Sequence, residues 1–206
     1  AELCVMVLAF TILGLVESLA VFTCYPLLVA ALSGPILGES VGWRRWAAIG
    51  VGFVGVLIIL QPGIGVFNPA AVIPLIAAIM FALYALLTRY VARKDTSATS
   101  FFWTGVAGAV AMTCVGIWFW EPMAPTDWAW MATLCVTGAF GHWLLIRVYE
   151  VAEASAVQPF AYMQLVFGSM LGVTVFGEII AWNVATGAGI VVAAGLFTLW
   201  RERQKR

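Results

Sequence analysis

The side chains able to bind or move something are few and lie far apart in the chain. Tyr25, Tyr84, His142, Tyr162 and Gln164 each sit inside an apolar run, and the carboxylates Glu39 and Glu178 each stand at the end of one. His142 is the only histidine in 206 residues. An imidazole titrates near neutral pH, so at membrane depth it suits proton coupling or substrate contact, with neutral, hydrogen-bonded packing as the alternative. Gln158 and Tyr162 are one helical turn apart and share a face, while Gln164 points to the face that carries Gly168. Tyr84, His142, Tyr162 and Gln164, with Tyr25 behind them, are the candidate cavity lining. They offer hydrogen bonds but no deep fixed charge, which suits a neutral, zwitterionic or amphipathic solute. Glu39 and Glu178 fit either a helix-end carboxylate facing the macrodipole or a gating or coupling role.

Other chemistry has no residues to perform it. There is no GxxxxGK[ST] phosphate loop, no HExxH and no GxSxG, and no pair of carboxylates within the apolar runs. The cysteines Cys4, Cys24, Cys114 and Cys135 fall inside apolar runs without a CxxC or a histidine-rich neighbour, so they read as small hydrophobes and not as metal ligands or disulfides. No enzyme, cofactor, metal or nucleic-acid partner is expected.

The elements that must position these groups are membrane helices. The mean hydropathy is +1.03 and only 10% of residues are charged, against about a quarter in soluble domains. Crossing a bilayer takes about 20 apolar residues. Charge, proline and glycine divide the chain into eight apolar segments, 3–16, 18–37, 43–61, 70–88, 99–119, 128–147, 155–176 and 182–200. The first is short for a span and reads as one whose beginning lies upstream. An all-α, polytopic helix bundle follows. Placing the C-terminus in the cytoplasm puts all ten basic residues on that side (Arg44, Arg45, Arg89, Arg93, Lys94, Arg147, Arg201, Arg203, Lys205 and Arg206), while the opposite loops hold Glu17, Glu121, Asp127 and Glu178.

One stretch recurs. GESVGWRRWAAIG at 38–50 matches GEIIAWNVATGAG at 177–189 with an offset of 139, keeping Gly38/Gly177, Glu39/Glu178, Trp43/Trp182 and Gly50/Gly189. Each copy lies between the penultimate and last segments of a unit. A unit of five spans is odd, so consecutive copies cross the membrane in opposite directions, the inverted duplication of many secondary transporters. Residues 1–66 read as the C-terminal part of a first repeat and 67–206 as a complete second one. Small residues at four-residue spacing (Ala30, Gly34 and Gly38; Gly168 and Gly172) suit close helix crossing near the pseudo-twofold axis.

The stretch ESLAVFTCYPLLVAALSGPILGESVGWRRWAAIGVGFVGVLIILQPG, followed by SAVQPFAYMQLVFGSMLGVTVFGE, resembles the EamA-type branch of the drug/metabolite transporter superfamily over nearly the whole chain. The resemblance implies a ten-helix carrier of two inverted five-helix repeats, with both termini cytoplasmic and a central cavity for small organic solutes that are often exported. Against that pattern the first two helices and part of the third are missing, and the first and third help line the cavity. The expected protein is a secondary transporter of a small organic metabolite in the inner membrane, working by alternating access with export favoured. Its expected partners are the solute, the lipid bilayer, a proton as coupling ion and a second copy of the chain. A membrane-embedded enzyme or a non-transporting scaffold subunit is the rival expectation.

Overall fold

The computed structural model describes residues 2–38, 42–60, 69–152 and 154–203. Glu39, Ser40 and the connection 61–68, with the expected repeat boundary in it, lie outside these residues, as do the side chains of Arg44, Arg45 and Gln158. The described residues hold nine α-helices and no strand: α1 (Glu2–Leu13), α2 (Leu15–Phe22), α3 (Tyr25–Leu37), α4 (Trp43–Leu60), α5 (Val72–Val91), α6 (Ser97–Gly116), α7 (Pro125–Val151), α8 (Ala154–Phe176) and α9 (Trp182–Arg203). In hydrocarbon every backbone N–H and C=O must find a partner inside the protein, which leaves a chain of this hydropathy little but helices. By length and composition, Leu15–Leu37, Pro69–Val91, Ser97–Phe119 and Pro125–Val151 can each cross a membrane, and four shorter apolar helices accompany them. Counting α2 and α3 as one bent span, these are the eight segments expected.

Two boundaries differ from the expectation. The first segment ends at Gly14, not at Glu17, which lies inside α2. Gly14 has φ 81 and ψ 174, a region essentially reserved for glycine, and no helix continues through it. The second segment is broken at its centre by a turn at Thr23–Cys24. Pro26 sits in the first turn of α3, where a missing N–H is tolerated. It cannot donate to the carbonyl four residues back, so the ladder loses that rung where α2 gives way to α3.

The chain divides into two compact units, Ala1–Leu87 with Glu153–Arg206, and Thr88–Ala152. In the first, α2 and α3 pack on α8, α3 packs on α4, and α4 and α9 make the most extensive contact. Their crossing is backbone on backbone. A β-carbon on Gly55 would stand 2.7 Å from the Gly187 carbonyl oxygen, and one on Gly187 would stand 2.5 Å from that of Gly55. Ala48 and Ala194 are buried on the same two helices. In lipid, where apolar burial gives helices no drive to associate, such close approach supplies the packing energy. The expected small-residue seats are there on α8, Gly168 receiving Leu19 and Gly172 receiving Val16. Gly38 has a different job: its φ of 71 ends α3 in the left-handed conformation, and nothing lies near its missing side chain. The tightest crossing, at Gly55 and Gly187, was not among the expected positions.

In the second unit α6 packs against α7. Arg147 Nη1 donates to Glu150 Oε2 at 2.9 Å and to Ser97 Oγ at 3.3 Å, and Arg89 Nη1 donates to the Tyr149 carbonyl at 2.8 Å. These contacts gather the basic residues at the end of the unit where α6 begins and α7 finishes. At the other end the Asp127 carboxylate accepts from the Ala124 N–H at 3.3 Å, over the first turn of α7. Between the ends, Phe102, Trp103, Leu134, Val136 and Phe140 are exposed, a surface stable only in apolar surroundings.

The crossing sets a test on one helix. Gly187→Ala is expected to lower the thermal unfolding midpoint in detergent, at a cost of about 1–3 kcal/mol from overpacking against backbone. Gly189→Ala, with nothing within 4 Å of its added methyl, is expected to be neutral or to gain up to about 1 kcal/mol from helix propensity. Equal effects of the two substitutions would remove the crossing.

Candidate functional site

A turn and a broken helix place the groups of interest in the first unit. Gly177 has φ 65 and ends α8 in the left-handed conformation, and the Glu178 N–H closes the turn on the Gly172 carbonyl at 3.0 Å. A glycine at positive φ permits this ending of the helix, which other residues resist. It turns the Glu178 side chain away from α9 and towards α2. The carboxylate accepts from the Leu15 N–H at 2.7 Å through Oε1 and from the Val16 N–H at 2.8 Å through Oε2. Gly14, at the cap of α2, has no side chain with which to satisfy these donors. The helix-end role expected for Glu178 is therefore present, but on a different helix: it caps α2, more than 160 residues earlier in the chain, and not the helix that follows it. Two charge-assisted bonds at a helix N-terminus are worth about 1–2 kcal/mol in a half-buried setting. Glu39 lies outside the described residues.

At the joint between α2 and α3 four rings meet. Phe22 and Tyr25 have centroids 5.0 Å apart, Phe81 of α5 stands edge-on to Tyr25 at 4.6 Å and to Phe22 at 5.6 Å, and Tyr84 follows Phe81 at 6.2 Å. These are the tilted and edge-to-face arrangements that the quadrupoles of aromatic rings favour. Phe22 and Tyr25 are buried, whereas Phe81 and Tyr84 are half-exposed. Tyr162 of α8 is buried over Gly195 of α9. Of the five candidate lining residues, Tyr25 and Tyr84 are joined through Phe81, while Tyr162 is seated against Gly195 of α9. Gln164 is exposed, off the buried face of α8. His142 belongs to the second unit, half-buried and 6.3 Å from the Phe101 ring. Phe22 and Phe81 were not singled out from the sequence. The available signal was Pro26, which marks the break that gathers them.

Depth is the notable property of this cluster. Tyr25 is the eleventh of the 23 residues of Leu15–Leu37, and Phe81 the thirteenth of the 23 residues of Pro69–Val91. Both rings therefore lie within two residues of mid-span. No group of three or more His, Cys, Asp or Glu able to hold a metal occurs among the described residues.

A bent helix, a mid-span cluster and apolar rods throughout define a multi-pass membrane protein of transporter type. Residues 68–200 match the model of the EamA-like transporter family, and the chain belongs to that family. It is similar to the S-adenosylmethionine uptake transporter of Rickettsia prowazekii, with 26% identity over 94% of this chain and 66% of the relative. It is also similar to the riboflavin transporter of Vibrio cholerae, with 31% identity over 92% of this chain and 64% of the relative. The chain thus spans about two thirds of the length of these curated relatives. A crystal structure with 20% identity superposes on 94% of this chain and 71% of its own, with a TM-score of 0.63, and supports the fold.

The seat of Tyr162 is testable by a double-mutant cycle. A methyl group on Gly195 would collide with the Tyr162 ring, so Gly195→Ala is expected to cost about 1–3 kcal/mol alone. In a Tyr162→Ala background that cost should largely vanish, giving a coupling of about 1 kcal/mol or more in thermal unfolding. Additive losses would place the ring elsewhere.

Proposed function

We propose that this protein is a secondary carrier that moves a small organic metabolite across the bacterial inner membrane by alternating access, with its C-terminus in the cytoplasm. The observation that carries the reading is the mid-span site: a helix broken at its centre, uncharged, and opening onto the rings of Phe22, Tyr25, Phe81 and Tyr84. Carriers built from inverted repeats bind their solutes at this depth, beside discontinuous helices. The break serves binding because Pro26 cannot donate to the Phe22 carbonyl, which leaves backbone polarity available at a level where the bilayer offers none. Rings around it add stacking and edge contacts without charge. In the first unit Tyr25, Tyr84 and Tyr162, with Gln164, are the proposed substrate contacts; in the second unit His142 is the proposed proton-coupling group.

The solute class that fits is neutral, zwitterionic or amphipathic, with a flat ring able to lie against Phe81 and Tyr84. The relatives named for riboflavin and for S-adenosylmethionine uptake support the flat ring, although the sulfonium of the latter solute makes it a net cation, and that name favours uptake over the export that the family resemblance first suggested. Residues 1–66, as the C-terminal part of a first repeat, and 67–206, as a complete second one running in the opposite direction, belong to the two halves that alternating access requires; the family match over 68–200 falls inside the second. A carrier accounts for a mid-span site better than a membrane enzyme or scaffold, which would gather its polar groups at one face.

Reconstituted into proteoliposomes, the protein is expected to give saturable flux of riboflavin or S-adenosylmethionine. Phe81→Ala and Tyr84→Ala should each raise KM about tenfold, corresponding to about 1.4 kcal/mol of lost ring contact. His142→Gln should flatten the pH dependence of flux; full pH dependence in that variant would dismiss proton coupling there. Absence of flux for flat-ring solutes, with flux retained for others, would overturn the assigned class.

A further inference from the structure

We propose that Glu178 is a releasable tie that closes one face of the carrier, with α2 as the short rod that it holds down; this rests on the carrier reading above. Four features of the structure meet in α2. The helix is only eight residues long, Leu15–Phe22, and it has a joint at each end: Gly14, with φ 81, before it and the Thr23–Cys24 turn after it. Along its length it is seated on α8, Val16 against Gly172 and Leu19 against Gly168. Its first two N–H groups are held by the Glu178 carboxylate and by no local cap. Its last residue, Phe22, belongs to the mid-span ring cluster. The rod is thus pinned at one end by a carboxylate from the far side of the chain and reports at the other end to the proposed solute site.

The tie has the character of a catch and not of a permanent strut. Glu178 is half-buried, and Ile179 and Trp182 beside it are exposed, so water reaches this turn when the packing loosens. Only where water can replace the carboxylate do the N–H groups of Leu15 and Val16 tolerate its departure. A carboxylate at a helix N-terminus biases an equilibrium by roughly two- to thirtyfold, enough to hold a face shut and little enough for solute binding to offset in each cycle. The glycines on both sides of the tie, Gly14 and Gly177, both have positive φ and place a turn at each partner. Release of Glu178 frees α2 to lift from Gly168 and Gly172, opening the path from that face to Cys24, Tyr25 and Tyr162.

Cys24 reports the motion because it is buried in the joint at the end of the rod. In a chain with Cys4, Cys114 and Cys135 replaced by alanine, Cys24 labelling by a small maleimide is measured in proteoliposomes, beside flux. Glu178→Ala is expected to speed labelling about tenfold or more, Glu178→Gln several-fold and Glu178→Asp least, in protein that keeps a cooperative unfolding transition. A folded Glu178→Ala variant that labels and transports as the parent does would overturn the tie. In a second variant, Leu15→Cys with Glu178→Cys is joined by a short bifunctional thiosulfonate reagent in a background lacking the four native cysteines. Flux is expected to stop while the bridge is intact and to return on reduction; flux unchanged by the intact bridge would overturn the proposal even if Glu178→Ala does not fold. If the parent moves no solute but Glu178→Ala still exposes Cys24, the carrier reading falls and the tie stands.

Discussion

A helix that begins at the rim of a membrane span presents N–H groups that must find partners, and the start of α2 after Gly14 depends on how that debt is met. An unpartnered backbone donor in hydrocarbon costs several kcal/mol, comparable with the net stability of many proteins. A serine or aspartate at the cap would settle it locally. Gly14 has no side chain to offer, and the donors of Leu15 and Val16 turn instead to Glu178. The local rule fails at the cap, and the solution comes from the other end of the sequence. A contact needed for helix integrity thereby becomes a contact that joins distant parts of the chain, which gives one carboxylate authority over how α2 sits.

The second break obeys a different logic. At Thr23–Cys24 the chain turns in mid-span, and its polar atoms are partly recovered nearby: the Thr23 N–H and hydroxyl both return to the Leu19 carbonyl, and Cys24 accepts from Leu27 and Leu28. Proline then starts α3 where its missing donor does least harm. The rings of Phe22, Tyr25 and Phe81 surround the joint with apolar surface. One break is closed from afar and the other by its neighbours, and the rod between them carries a solute-facing ring. Backbone contact at Gly55 and Gly187 anchors the crossing of α4 and α9, in the same unit.

Much of the architecture was legible because hydropathy, charge and glycine act locally. Eight apolar rods, the helix-ending role of the GE motif and the seats at Gly168 and Gly172 all follow from residue type and spacing. The carboxylate of Glu178 was legible as a helix-end group, but its partner was not: nothing in a run of residues says that the donor pair lies more than 160 positions earlier. The boundary at Glu17 failed because charge is a weaker breaker than a glycine at positive φ, and a single glutamate is accommodated within α2. For the site, Tyr25, Tyr84 and Tyr162 were visible as polar aromatics at matching depth, whereas Phe22 and Phe81 were invisible among 13 phenylalanines. Only the fold separates a ring that lines a joint from one that faces lipid.

With the two halves of the chain head to tail, as proposed, equivalent GE turns emerge on opposite faces, and that of the second half holds a helix of the first. The most direct measurement is labelling of single cysteines at Ser40 and Ile179 in intact cells with a membrane-impermeant thiol reagent, with Ile179 already 93% exposed. Ser40→Cys should resist the reagent until the membrane is permeabilised, while Ile179→Cys should react at once. Equal reaction of both from outside would mean that the two turns share a face, and the inverted arrangement would be contradicted.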